Sequence, residues 1–140
     1  MAYQTDNVFA KILRGELPAH KVYEDEHSLA FMDLMPQVEG HTLVIPRYPA
    51  EDLLDLPPEH LCHTLMTAQR VARAVKRAFA AEGIMLAQLS GAAAGQTVFH
   101  FHFHILPRSA GIDLRLHARN PAPPEVLAEH ARRIREALEP

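Results

Sequence analysis

The chain carries a single cysteine, Cys62, in 140 residues, so an intrachain disulfide is excluded. Cys62 lies among Leu61, His63 and Leu65, a setting that reads as a helix and not as a reactive loop. Long apolar runs are also missing, so no segment is suited to span a bilayer, and the opening MAYQTDNVFAKILRG lacks the basic region and apolar core of an export signal. A cytoplasmic protein without a membrane partner is expected. Positive charge is neither abundant nor clustered: 14 Lys and Arg stand against 17 Asp and Glu, for a net charge of −3 with His neutral. That removes the electrostatic footprint a nucleic-acid polymer requires, while a small phosphorylated molecule stays open as a substrate. There is no internal repeat, no Walker-type lysine and no dinucleotide fingerprint. The remaining composition, 48% hydrophobic and 22% charged, is that of one ordinary globular domain.

Asp6 reads as the N-cap of a short helix over Asn7 to Leu13, with Val8, Phe9 and Ile12 at helical spacing and Gly15 closing it. Three short antiparallel strands follow, over 21–24, 28–33 and 41–45, the last ending at Pro46, which has no N–H for a central ladder. From Pro58 to Glu82, Leu61, Leu65, Ala68, Ala72, Val75 and Phe79 recur three and four apart, which predicts the main helix, closed by Gly83. A fourth strand is expected over 84–89 and a fifth over 98–106. Pro121, Pro123 and Pro124 then precede a terminal helix over 125–138.

The run HFHFHILPR carries the chemistry. On an extended strand successive side chains point to opposite faces, which puts His100, His102 and His104 on one face and Phe99, Phe101, Phe103 and Ile105 on the other. The phenylalanine face is expected to pack against the main helix. Three imidazoles on one face are more than stability requires, because each buried ring nitrogen needs a partner. Metal binding is one use for them, yet three same-face positions span roughly 13 Å, too far for His100 and His104 to share one ion easily. Nucleophilic attack on phosphorus is the other, and it suits imidazole because the ring is largely neutral at physiological pH. His102, in the middle, is the natural nucleophile. The adjacent Gly91-Ala92-Ala93-Ala94-Gly95 loop has almost no side-chain bulk, so a ligand could approach its backbone, with Gln96 and Thr97 beside it. His20, His27, His60, His63, His117 and His130 read as surface residues.

The stretch from His100 to Leu106 resembles the signature of the histidine triad family, His, apolar, His, apolar, His, apolar, apolar, at every position. The resemblance extends through NVFAKILRGELPAHKVYED, LAFMDLMPQ, GHTLVIPR and GQTV, and so covers most of residues 6–108. It implies an α+β fold: a five-stranded antiparallel sheet with a short N-terminal helix, a long central helix and a C-terminal helix. Residues 1–110 would form the family domain and 111–140 an extension packed on it, with two copies forming a homodimer.

The resemblance also implies an activity. The protein would act on the α-phosphate of purine nucleotide conjugates, such as nucleoside phosphoramidates and adenylates, through a nucleotidyl-histidine and with no cofactor or metal required. A hydrolase of dinucleoside polyphosphates and a nucleotide-binding module with little turnover are the alternatives. His102 would carry the nucleotidyl group, His104 contact the phosphate and His100 orient the nucleophile, with His41 as the outlying fourth histidine. Gln96 and Thr97 match positions that reach the phosphates or the leaving group, and Asp33 matches the acceptor of the ribose hydroxyls. Val8, Phe9 and Ile12 would wall the base pocket, a role compatible with packing the first helix. Ser90 departs from the pattern: many relatives carry an asparagine there that touches the phosphate or the frame of the site.

Overall fold

The computed structural model describes residues 2–111 and 120–139; His117 lies outside them. Helix α1 (Val8–Leu13) precedes strands β1 (Lys21–Glu24), β2 (Ser28–Met32) and β3 (Thr42–Pro46). The long helix α2 (Pro58–Ala78) leads into β4 (Gly83–Ala87), a single 3₁₀ turn (Ala92–Ala94), β5 (Phe103–Arg108) and helix α3 (Pro124–Ala137). The strands form one antiparallel sheet in the order β1-β2-β3-β5-β4. The expected α+β fold is therefore observed. None of the described helices is long and apolar enough to cross a membrane.

Strands β2 and β3 are buried at every position, so both faces of the sheet are covered. On one face Ala30, Met32, Val44, Phe103 and Ile105 pack with Ala68, Val71 and Val75 of α2 and with Leu127, Ala131 and Ile134 of α3. On the other, Leu29, Phe31, Leu43 and Ile45 pack with Phe9 and Ile12 of α1. The second face also carries the histidines, because the period-2 alternation that sends Phe103 and Ile105 toward α2 sends His104 the other way.

Several boundaries differ from expectation, each for a local reason. The N-cap of α1 is Asn7, not Asp6: its Oδ1 accepts the Ala10 N–H at 2.9 Å. Helix α2 ends at Ala78, and Ala80 takes the left-handed position (φ 49°) expected of Gly83, with Ala81 N–H reaching back to Lys76 O at 3.0 Å. Gly83 instead opens β4 opposite Arg108, which requires extended chain there. On α2 the buried stripe runs Thr64, Ala68, Val71 and Val75, and Leu65 is exposed. His130 is buried on the inner side of α3, edge-on to Phe79.

The histidine run is the largest correction. Strand β5 begins at Phe103, so His100 and His102 precede it. Pairing with β3 covers Thr42, Leu43 and Val44; continuing it toward Phe101 would call on Pro46, which has no N–H to donate. Phe101 N–H bonds Ala50 O at 2.8 Å instead. Phe101 still reaches the α2 core, whereas Phe99 is 38% exposed and leaves it.

The turn before β3 is fixed by Gly40, at φ +86°. A Cβ there would lie 2.7 Å from the Phe79 ring, at the end of α2. Glycine is required twice over, by conformation and by space.

Candidate active site

Three strand ends bring the site together. Leu43 opposes His104 across β3 and β5, and His41, two residues earlier, shares that face. Asp33, just past β2, meets His41 through its N–H to His41 O at 3.1 Å. A cavity of about 430 Å³ opens over these groups. Val8, Phe9, Ile12, Asp33, His41, Thr97, His102 and His104 all line it, eight of the eleven residues singled out from the sequence.

The other three lie elsewhere. His100 is fully buried behind the cavity. Ser90 donates its hydroxyl to Gln88 Oε1 at 3.0 Å and does not line the cavity. Gln96, 3% exposed, spends its amide on the backbone: Oε1 accepts the Gly91 N–H at 2.8 Å, and Nε2 donates to Glu51 O at 2.7 Å and Val98 O at 3.0 Å. It closes the small-residue loop. The cavity wall includes Leu34, Met35 and Leu89, which the sequence did not single out, and Ala122 N–H ties the segment before α3 to Leu34 O at 3.0 Å.

Hydrogen-bond partners assign every relevant proton, because a carbonyl can only accept and a backbone N–H can only donate. His102 Nδ1 lies 2.7 Å from His100 O, so Nδ1 carries the hydrogen and Nε2 keeps its lone pair. His100 Nε2 lies 2.8 Å from Pro46 O and therefore donates, leaving Nδ1 to accept the Tyr3 hydroxyl at 2.5 Å. His41 Nδ1 accepts the Gln37 N–H at 3.1 Å, so its Nε2–H donates to His104 Nδ1 at 2.9 Å. That leaves the His104 hydrogen on Nε2.

Burial keeps His41, His100 and His102 neutral. It is the first cause of each shift, pushing His41 down to about 3 with help from His104 and His102, and His100 down to about 4 against the opposing Pro46 bond. His102 is also pushed down by burial, with the bond to His100 O opposing. Burial raises Asp33 to about 6 against the pull of the Met35 N–H. The 3.4 Å approach of Asp33 Oδ2 to His41 Nε2 is therefore a contact with a neutral ring and not an ion pair at neutral pH.

Asp33, His41 and His104 each bring one ligand atom to within 4.8 Å of the others. They fit a metal ion poorly. The Gln37 N–H holds the lone pair of His41 on Nδ1, so the Nε2 that would face the ion bears a hydrogen, and reversing the tautomer would set two donors against each other.

The arrangement thus brings the Nε2 lone pair of His102, the His104 ring and the Asp33 carboxyl to one end of a cavity. Phe9 stands edge-on to His102, ring centroids 5.0 Å apart, and His102 to His104 at 4.8 Å.

Residues 14–111 match the family model described as the HIT domain. A solved HIT-like protein from Bartonella henselae superposes with a TM-score of 0.94 at 48% identity, over 99% of this chain and all of that one. An adenosine 5'-monophosphoramidase of Saccharomyces cerevisiae is 39% identical over 72% of this chain and 61% of its own length. An adenylylsulfatase of Arabidopsis thaliana is 39% identical over 75% of this chain and 53% of its own. With the histidine run, the sheet and the matched residues in agreement, the chain belongs to the HIT domain family.

Proposed function

We propose that the protein is a hydrolase and nucleotidyl transferase acting on the α-phosphate of purine nucleotide conjugates, nucleoside phosphoramidates or adenylates, through a covalent nucleotidyl-His102. The observation that carries this reading is the Nε2 lone pair of His102, held ready by the Nδ1–H bond to His100 O beside the Nε2–H of His104. Nε2 attacks phosphorus and the bond to the amine or acyl-oxygen leaving group breaks, its electron pair leaving with that group. Water then attacks phosphorus and displaces Nε2, so overall its OH goes to phosphorus and its H to the leaving group. His104 Nε2–H stabilises the phosphate oxygens as charge builds on them. Asp33, ionised, accepts the ribose hydroxyls, and Val8, Phe9 and Ile12 present an apolar wall to the base. The protonation of His41 speaks for a reaction with no metal requirement.

The relatives named as a phosphoramidase and an adenylylsulfatase support this class over a binding module. We further place the protein in the cytoplasm, in keeping with its unpaired Cys62, and as a homodimer, for which the edge strand β4, with Leu86 exposed, offers an open ladder.

Rapid-quench mass spectrometry with adenosine phosphoramidate, an aminoacyl adenylate and a diadenosine polyphosphate tests the reading. A transient adduct of adenylyl mass, AMP less one water, on the His102 peptide, formed from the first two substrates and absent in His102→Ala, is expected. An adduct from the polyphosphate alone would move the protein to the dinucleoside polyphosphate branch. AMP binding without product from any of the three would make it a binding module.

A further inference from the structure

The N-terminal arm makes a contact that the histidine motif does not contain. Tyr3 and Asn7 lie before the residues matched by the family model, yet Tyr3 Oη stands 2.5 Å from His100 Nδ1 across 97 residues of sequence. We infer that Tyr3, aimed by Asn7, is a positioning residue for the reaction: its hydroxyl sets the tautomer and orientation of His100, whose carbonyl in turn holds His102. The inference rests on His102 as the nucleophile.

Each link has a determined donor. Asn7 Oδ1 accepts the Ala10 N–H at 2.9 Å as the cap of α1, which turns Nδ2 toward Gln4 O at 2.8 Å and Tyr3 Oη at 2.9 Å. The phenol oxygen thus accepts from Asn7, and its one hydrogen points at His100 Nδ1. Burial raises the Tyr3 pKa above its ordinary value, so the phenol keeps that hydrogen. His100 is then held from both sides, accepting at Nδ1 and donating from Nε2 to Pro46 O at 2.8 Å. Its own carbonyl, one residue plane away, receives His102 Nδ1–H at 2.7 Å. The same short helix presses Phe9 against the His102 ring. Cap, phenol and phenyl therefore converge from α1 and the arm before it on the two histidines that the β3–β5 ladder leaves unsupported. An imidazole without the Tyr3 donor would be free to turn or to take a proton on Nδ1, and either change disturbs the backbone that fixes the nucleophile.

Two variants separate this role from simple docking of the arm. Tyr3→Phe keeps the ring edge against His100 and removes the hydroxyl. Asn7→Asp keeps the helix cap, since aspartate caps as well as asparagine, but turns the donor facing Tyr3 into an acceptor that draws the phenol hydrogen away. Each is expected to lower kcat on adenosine phosphoramidate about tenfold with KM within about twofold, and the double variant to lose no more than either single one. In ¹⁵N spectra of the full chain, the His100 Nδ1 resonance should move in both variants. Unchanged kcat, a change in KM alone, or an unmoved His100 resonance would overturn the positioning role while a His102 adduct in the unmodified protein leaves the nucleophile in place. Absence of that adduct overturns the nucleophile, and this inference with it.

Discussion

His41 and His104 share one hydrogen, donated from His41 Nε2 to His104 Nδ1 over 2.9 Å, and the donor's direction is decided four residues upstream by the Gln37 N–H. His41 need not touch a substrate to matter. It decides which nitrogen of His104 carries the hydrogen.

Removing that donor should therefore affect turnover more than binding. For His41→Ala, kcat on adenosine phosphoramidate is expected to fall by about tenfold to a hundredfold, less than the roughly hundredfold to thousandfold for losing a donor on the reacting group itself because His41 acts through His104, with KM within a few fold. Steady-state kinetics check this, and a loss confined to KM would place His41 in binding instead.

Asp33 should make substrate binding sensitive to pH. Its carboxyl is raised to about 6, and in the proposed role only the ionised form would accept from both ribose hydroxyls. KM is expected to climb as pH drops through 6. In Asp33→Asn, KM should be higher at pH 7 and nearly level between pH 7 and 5. Parallel pH profiles for the two proteins would contradict the role.

Fold stability should fall in acid. His41 and His100 have folded pKa values, about 3 and about 4, below the unfolded 6.5, so their contribution is full at pH 7 and lost as pH drops below 6.5. His102 shifts the same way. Asp33, raised to about 6, works oppositely: between pH 6 and 4 the folded state holds a proton that the unfolded chain does not. Two or three histidines outweigh one carboxyl, so the unfolded chain binds at least one proton more, and stability should drop by at least about 1.4 kcal/mol per pH unit there. Urea midpoints from pH 7 to 4.5 measure it; a flat or rising series would show that these rings ionise in the folded protein.

Gly40→Ala should destabilise the fold by about 2 kcal/mol or more, combining a left-handed conformation with a Cβ forced on the Phe79 ring. Adding Phe79→Leu should relieve the crowding and recover part of the loss. Full recovery would mean that the positive φ costs nothing.

Much of this could be read from the chain. Asp33, His41, His102 and His104 fall on one cavity because strand alternation and the order of the blocks already placed them at neighbouring strand ends. The sheet's second covered face was harder to see, since β2 and β3 are buried throughout and show no alternation of polar and apolar residues. The early end of the β3–β5 ladder follows from Pro46, whose effect on its own strand was legible but whose effect on the partner strand depends on register. Gln96 shows the opposite limit. A polar residue beside a glycine loop reads as a ligand contact, and only coordinates reveal that its amide is consumed by Gly91, Glu51 and Val98. Tyr3 left no signal at all, because its partner is 97 residues away.

The two covered faces of the sheet are not filled alike. Against α2 and α3 the sheet meets Ala68, Val71, Val75, Leu127, Ala131 and Ile134, whereas against α1 a space of about 430 Å³ borders Phe9, Ile12, Phe31 and Leu43. That side is a core with one piece left out. Under the proposed reading, the aromatic base of the substrate is the missing piece, burying the same apolar surface that a large side chain would. Substrate recognition and completion of the fold are then one event, and the protein should be at its most rigid only while it is occupied.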